Sequence, residues 1–147
     1  MTPRMNIAAL APDLFRSILD LDRMIRESGL DSQLLHLVKL RASQINGCAY
    51  CVDLHSAEAL ADGIPPQKLH LLAVWRESSL FSEQERAALQ WTESLTHIAD
   101  TGAPDGDFDA VKAVFSESEV GKLTVAIGAI NMLNRMGVAA RLEHPTR

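Results

Sequence analysis

Two cysteines and one histidine form the most chemically informative group in this sequence of 147 residues. Cys48 and Cys51 are the only cysteines of the chain, and His55 follows one helical turn after the second. Residues three and four apart share one face of an α-helix, so a helical segment would present both thiols and the imidazole on the same side. The spacing therefore predicts a dithiol site with a base beside it.

The chemistry of this site depends on which thiol ionises, and the residues support either choice. An ordinary thiol has a pKa of about 8.5, so it needs help from its surroundings to be a thiolate at neutral pH. Cys48 falls in the expected first turn of the helix, where free N–H groups favour an anion, whereas Cys51 can share a proton with His55. One thiolate would attack an electrophilic oxygen or a disulfide, and the other thiol would close an intramolecular bond.

Composition and charge limit the class of protein. The formal net charge is -5 and the pI is about 5.5, with Lys and Arg scattered singly, which argues against nucleic-acid or anionic-membrane partners. No uninterrupted apolar run is long enough to predict a signal core or a membrane span, so we expect a cytoplasmic protein. In a reducing compartment, a cysteine pair at this spacing indicates redox or metal chemistry more than a structural disulfide.

The elements that must position these residues are predicted to be helices throughout. Apolar residues recur at three and four, and no segment has the alternation of a strand, so we predict one all-α domain over residues 1–147 with six to seven helices. The predicted helices run from Pro12 to about Ser28, Asp31 to Asn46, about Cys48 to Gly63, about Gln67 to Glu77, Ser82 through Ile98, near Phe108 to Phe115, and Val120 to about Val138. A loop is predicted from Thr101 to Asp107.

Several residues mark the ends of these helices. Asp31 is a candidate N-cap, and Gly47 suits a left-handed C-terminal cap. Ser82 and Ser116 each precede a glutamate by three residues, which is the capping-box pattern. The first helix is expected to bury a stripe made of Leu14, Ile18, Leu21 and Ile25. Lys39 and Arg41 either add positive charge near the site or, more simply, lie on an exposed helix face.

The segment around the cysteines resembles a known family. Residues 37–55, LVKLRASQINGCAYCVDLH, resemble the signature of the alkylhydroperoxidase AhpD-like proteins in the carboxymuconolactone decarboxylase superfamily. Looser similarity extends to residues 88–96 and 129–135, and so covers most of the chain from about Leu34 onward. The resemblance implies an all-α bundle that assembles into homo-oligomers, commonly trimers or hexamers.

The resemblance also implies roles for individual residues. Cys51 would be the thiol that attacks the peroxide, Cys48 the resolving thiol and His55 the proton-relay partner of Cys51. The family's relay usually includes a glutamate twelve residues before the first cysteine, and this position holds His36. A second imidazole supplies no fixed negative charge, so activity would be weaker or shifted in pH. Glu93 could supply a carboxylate from another helix, or it could be a solvated charge.

Three functions follow from these observations. The first is a thiol-dependent peroxidase that reduces an organic hydroperoxide and is re-reduced by an external dithiol, with no cofactor. The second is an enzyme of the decarboxylase branch, which generally lacks the cysteine pair. The third is a non-catalytic oligomeric module that senses redox state or binds a metal through a Cys₂His₂ set that includes His36. The other histidines lack ligand spacing and are expected to be ordinary surface or partly buried residues; they are His70, His97 and His144.

Overall fold

The computed structural model describes residues 2–146, and every regular element in that range is a helix, which confirms the all-α fold class. Residues 1 and 147 of the predicted domain lie outside the described part of the chain. The elements in chain order are α1 (Ile7–Leu10), α2 (Pro12–Arg26), α3 (Ser32–Asn46), α4 (Ala49–Ala61), α5 (Pro66–Leu71), a 3₁₀ helix (Leu72–Glu77), α6 (Glu83–Thr96), α7 (Ile98–Thr101), α8 (Asp105–Val114) and α9 (Glu117–Ala140).

The helix ends follow the local sequence signals. The Asp31 side chain accepts a hydrogen bond from the Leu34 N–H at 2.8 Å, which caps α3 as predicted. Gly47 ends α3 in the left-handed conformation, with φ at 67°. This conformation costs glycine little free energy, because glycine has no Cβ. Ser82 and Ser116 both form complete capping boxes at the starts of α6 and α9. Short-range chemistry therefore sets the boundaries of the long helices.

The structure departs from the prediction in the short elements. The four-residue helices α1 and α7 were not predicted, because one turn is too short to show a helical period. The predicted helix over residues 67–77 is α-helical only to Leu71 and continues as the 3₁₀ helix, inside which Val74 leaves helical geometry. Residues 105–107, predicted as loop, begin α8, since Asp105 and Asp107 complement the positive helix N-terminus despite their turn-forming character.

The central helix of the fold is α3, which packs against α4, α6 and α9. Leu37, Val38 and Leu40 are at most 1% exposed and anchor it in the core. Only two residues separate α3 from α4, and the Cys48 N–H donates to the Ser43 carbonyl oxygen across that connection at 3.1 Å. The start of the cysteine-bearing helix is therefore held directly by the most buried helix of the protein.

The first long helix, α2, buries less of its apolar stripe than predicted. Ile25 is buried near its C-terminal end, whereas Leu14 is 71% exposed, so the prediction for Leu14 is wrong. The reason is that Ile25 packs with Leu35 and with the small side chains of α9, while the N-terminal half of α2 extends past that cluster. An apolar surface is left on α1 and α2; its exposed members are Leu10, Leu14, Leu19 and Met24.

The last helix, α9, is long and apolar enough to cross a membrane by length and composition alone. Half of its most apolar window is buried against other helices of the protein. Leu123, Ile127 and Ile130 are at most 1% exposed, and the helix packs on α2, α3 and α6. Burial in the protein core accounts for the apolar character of this helix.

Candidate active site

Cys48 and Cys51 are joined by a disulfide in this structure, with Cα atoms 5.3 Å apart. Cys48 is the N-cap residue of α4 and Cys51 lies in the first turn, so the predicted helical placement of the pair is confirmed. The Cys51 N–H donates to Cys48 Sγ at 3.3 Å, which directs a backbone donor of the helix terminus at that sulfur. Such donors stabilise negative charge on a reduced Cys48.

The disulfide packs closely against the backbone of α9. A Cβ atom built at Gly137 would lie 2.9 Å from Cys48 Sγ and 3.4 Å from Cys51 Sγ. Real Cβ contacts of 2.9 Å essentially never occur, so only glycine fits at this position without a shift of the sulfurs or the helix. Gly137 therefore gives the two sulfur atoms the space they occupy.

His55 is buried, with 5% of the residue exposed, and its ring is held by a carboxylate from the same helix. His55 Nδ1 lies 2.9 Å from Glu58 Oε2. A carboxylate beside Nδ1 favours the proton on that nitrogen, which leaves Nε2 free to exchange protons with another group. The imidazole is thus fixed in orientation by a residue one turn further along α4.

Glu58 is the site residue that the sequence analysis did not identify. The hydrogen bond from His55 lowers the pKa of Glu58 to about 2, with Arg26 contributing in the same direction and burial opposing both. Arg26 Nη2 donates to Glu58 Oε1 at 3.0 Å. The sequence does contain a signal for Glu58, because it follows His55 by three residues and so lies on the same face of the helix. What sequence could not show is that both side chains turn away from bulk solvent.

A chain of alternating charges continues from Glu58 into the core. Arg26 Nε donates to Asp22 Oδ2 at 2.8 Å, and Lys39 Nζ donates to Asp22 Oδ1 at 2.5 Å. Lys39 is only 3% exposed, so its simpler interpretation as a charge on an exposed helix face is wrong. Burial alone would raise the pKa of Asp22, but the hydrogen bonds and charges of Lys39 and Arg26 lower it. The chain holds Arg26, and through it Glu58, in place.

An apolar cavity of about 260 Å³ adjoins this group. Cys51, His55 and Tyr50 lie on its wall, and Cys48 is not among the lining residues. The remaining wall is built mainly from residues remote in sequence, namely the N-terminal segment 6–8, α2, α9 and Leu142. Cys51, but not Cys48, therefore borders the same largely apolar space as His55.

The two other predicted participants, His36 and Glu93, do not line the cavity. His36 Nε2 is 3.4 Å from Asp62 Oδ2, and burial lowers the pKa of His36, while the charges of Glu58 and Asp62 act to raise it. Glu93 accepts from Trp75 Nε1 at 2.8 Å and from two arginines, and it does not line the cavity. It binds α3, the 3₁₀ helix and α6 together. Neither residue makes a described hydrogen bond or ion pair with His55.

The remaining histidines and the metal hypothesis can also be placed. His70, His97 and His144 are exposed, in agreement with their interpretation as surface residues. Across residues 2–146, no group of three or more His, Cys, Asp and Glu side chains is arranged to hold a metal ion. The Cys₂His₂ set considered from the sequence is therefore not assembled here.

Comparison with known proteins identifies the family. Residues 12–94, more than half of the chain, match the model of the carboxymuconolactone decarboxylase family. The chain belongs to this family. The uncharacterized protein YdfG of Bacillus subtilis is 31% identical over 139 residues, which cover 95% of each chain.

Solved structures place the chain in the AhpD-like group of the family. ATU0492 of Agrobacterium tumefaciens is a protein of unknown function, suggested to be the antioxidant defence protein AhpD. It is 48% identical, with a TM-score of 0.97 over 99% of this chain and 100% of its own. The debrominase Bmp8 is similar with a TM-score of 0.80 over 94% of this chain and 74% of its own. At 22% identity, the likeness to Bmp8 shows the shared fold alone.

Proposed function

We propose that this protein is a thiol-dependent peroxidase that reduces organic hydroperoxides through a cycle between the Cys48 and Cys51 dithiol and their disulfide. The observation that carries this proposal is that Cys51 and His55 lie together on the wall of an apolar cavity. Cys48, which does not line the cavity, forms a disulfide with Cys51. The proposed reacting thiol and base thus border one largely apolar space, and the proposed resolving thiol is bonded to the first.

The first step oxidises Cys51 and reduces the hydroperoxide. His55 takes the thiol proton, and the Cys51 thiolate attacks the terminal oxygen of the substrate. The O–O bond breaks, an S–O bond forms, and the alkoxide leaves with the proton returned by His55. Cys51 becomes a sulfenic acid and the product is an alcohol. The cavity favours Cys51 over Cys48 for this step, because Cys51 lines it and Cys48 does not.

The second step closes the disulfide and releases water. The Cys48 thiol attacks the Cys51 sulfenic acid, the S–O bond breaks, and the S–S bond seen in the structure forms. An external dithiol then reduces this bond by thiol–disulfide exchange and is itself oxidised to a disulfide. The N-terminal position of Cys48 on α4 supports its thiolate in the exchange.

Glu58 takes the role that the family resemblance assigns to the position of His36. It supplies the negative charge that orients and stabilises a protonated His55, as the acid partner does in a catalytic triad. The sensor hypothesis rested on the missing carboxylate at position 36. Since a carboxylate contacts His55 from position 58, the relay retains an acid partner.

The proposal includes a cytoplasmic location and assembly of several copies, as trimers or hexamers. Exposed apolar side chains on α1 and α2, including Leu10 and Leu14, are suited to contacts between copies. The reductant would be a cellular dithiol, consistent with a pair that must be re-reduced after each turnover.

The direct test is consumption of cumene hydroperoxide by the reduced protein with dithiothreitol as the donor. The wild type should turn over, while the Cys51→Ser and His55→Ala variants should lose nearly all of the rate. Ser56→Ala, a substitution on the same helix away from the cavity lining, is the matched control and should keep it. A wild type that consumes no peroxide while its thiols stay reduced would refute the proposal.

A further inference from the structure

The cavity beside Cys51 has walls that select for the class of hydroperoxide. Apolar side chains from three separate regions meet there, among them Phe15 and Leu19 of α2, Leu133 and Met136 of α9, and Leu142 after it. An apolar wall gains free energy by covering apolar ligand surface and offers few partners to a polar ligand. A small polar peroxide such as hydrogen peroxide would gain little from this site.

The charged residues on the wall are already paired with each other. Asp22 and Arg26 both line the cavity, and they form an ion pair at 2.8 Å. Arg26 also contacts Glu58, and Asp22 also contacts the buried Lys39. Each of these two wall residues therefore already has partners of opposite charge. A carboxylate or ammonium group on the ligand would lose its hydration without gaining a new partner.

The volume limits how much of a ligand the cavity can cover. An apolar cavity of about 150 Å³ holds benzene, which sets a scale of roughly 25 Å³ per non-hydrogen atom. On that scale the cavity of about 260 Å³ takes about ten non-hydrogen atoms. The cavity covers a compact aryl-alkyl or branched alkyl hydroperoxide whole, whereas a long-chain lipid hydroperoxide would leave most of its chain outside.

Segments near both ends of the described chain form part of the cavity wall. The Arg4 N–H donates to the Ala140 carbonyl oxygen at 2.9 Å, which ties the N-terminal segment to the end of α9. The Leu142 N–H donates to the Gly137 carbonyl oxygen at 3.0 Å, which turns the residues after α9 back toward the sulfurs. These backbone bonds hold two parts of the wall in place.

We infer that this cavity binds neutral, compact, apolar hydroperoxides of about ten non-hydrogen atoms, and that Leu19 and Met136 determine this specificity by their size. This inference rests on the proposed peroxidase function for the identity of the reacting group. It goes further by excluding hydrogen peroxide and carboxylate-bearing lipid hydroperoxides as preferred substrates.

The kinetic test compares cumene hydroperoxide, hydrogen peroxide and linoleic acid hydroperoxide on variants that fill the cavity. Met136→Trp should lower kcat/KM for cumene hydroperoxide by at least about tenfold and leave the value for hydrogen peroxide within about threefold. Comparing each variant with the wild type cancels the different intrinsic reactivity of the peroxides. Val125→Trp, on the same helix but exposed and not lining the cavity, is the matched control and should change neither value.

A second variant covers the case in which Met136→Trp fails to fold. Leu19 lines the cavity from α2 and is 51% exposed, so Leu19→Trp can reach the cavity with little effect on the core. It should show the same selective loss with cumene hydroperoxide. A uniform loss with all three peroxides, or no loss with any, overturns the inference.

A binding measurement separates failure of this inference from failure of the peroxidase proposal. The alcohol 2-phenylpropan-2-ol, the product from cumene hydroperoxide, should bind the oxidised protein saturably by NMR titration, and Leu19→Trp should weaken it at least about tenfold. Binding with this pattern but no peroxide turnover would refute the peroxidase proposal while supporting the neutral apolar site. Turnover without any binding of the alcohol would overturn the inference about the cavity.

Discussion

Replacement of Glu58 by glutamine tests the charged pair at the centre of the site. Glu58→Gln keeps the size and shape of the side chain but removes the charge that meets His55 at 2.9 Å and Arg26 at 3.0 Å. The His55 ring would keep a possible acceptor at the same place. The loss measured is therefore the electrostatic part of the contact, and only a small part of the packing.

The size of the effect on stability follows from the pKa of Glu58. A fall from 4.5 to about 2 in the folded protein corresponds to about 3 kcal/mol of stabilisation at neutral pH, since one pKa unit is about 1.4 kcal/mol. The side chain is 23% exposed, and screening by solvent lowers the expected value to about 2 kcal/mol.

The sign of the pH dependence is fixed by the direction of the shift. Because the folded-state pKa is depressed, the stabilisation is complete above the ordinary pKa of 4.5 and is lost as pH falls toward about 2. At neutral pH, urea denaturation should give a larger free energy of unfolding for the wild type than for Glu58→Gln. This difference should shrink as the pH falls from 4.5 toward about 2. Glu27→Gln, which alters an exposed carboxylate paired with Arg23, is the control and should leave the curve almost unchanged. Parallel pH curves for wild type and Glu58→Gln would refute the reasoning.

The same variant should also slow the peroxidase reaction. Without the carboxylate, the protonated imidazole loses its stabilising partner, and the rate of thiol oxidation by cumene hydroperoxide should fall at least roughly tenfold. A stopped-flow measurement on the reduced protein checks this value. An unchanged rate in a correctly folded Glu58→Gln variant would remove Glu58 from the relay.

Three further substitutions test other parts of the structure. Gly137→Ala should destabilise the oxidised protein by about 1–3 kcal/mol in urea denaturation, because the added Cβ would meet Cys48 Sγ at 2.9 Å; unchanged stability would contradict this. Asp22→Asn leaves the buried Lys39 without its charge partner and should cost about 3–5 kcal/mol in the same assay, and a loss below 1 kcal/mol would show that the pair is unimportant. His36→Ala should change the peroxide reaction rate less than about threefold, because the carboxylate that contacts His55 belongs to Glu58 and His36 lies within ion-pair distance of Asp62; a tenfold loss would return this residue to the relay.

Local sequence signals were enough to predict much of this fold. Helix caps involve residues within three or four positions of each other, so the local sequence is enough to predict them. The caps predicted in this way are Asp31, Gly47, Ser82 and Ser116. The helical placement of the cysteine pair and His55 follows from the same short-range rules. The prediction missed the two single-turn helices, the start of α8, and the change from α5 to the 3₁₀ helix within residues 67–77.

The site as a whole could not be predicted, because its partners come from distant parts of the chain. Lys39 is buried only because Asp22 reaches it from α2, and the cavity exists only where α2, α9 and Leu142 meet α4. Helical spacing puts Glu58 on the same face as His55, but the role of Glu58 in the site also depends on its ion pair with Arg26 of α2. Periodicity assigns faces to helices and does not say which faces meet.

The central claim, that Cys51 is the thiol oxidised by the peroxide and Cys48 resolves it, has one direct test. Reduced Cys48→Ser and Cys51→Ser variants are each treated with one equivalent of cumene hydroperoxide in the presence of dimedone, and the adducts are located by mass spectrometry. The account predicts a sulfenic acid adduct at Cys51 in Cys48→Ser and no adduct in Cys51→Ser. An adduct at Cys48 in Cys51→Ser, with none at Cys51 in the other variant, would contradict it.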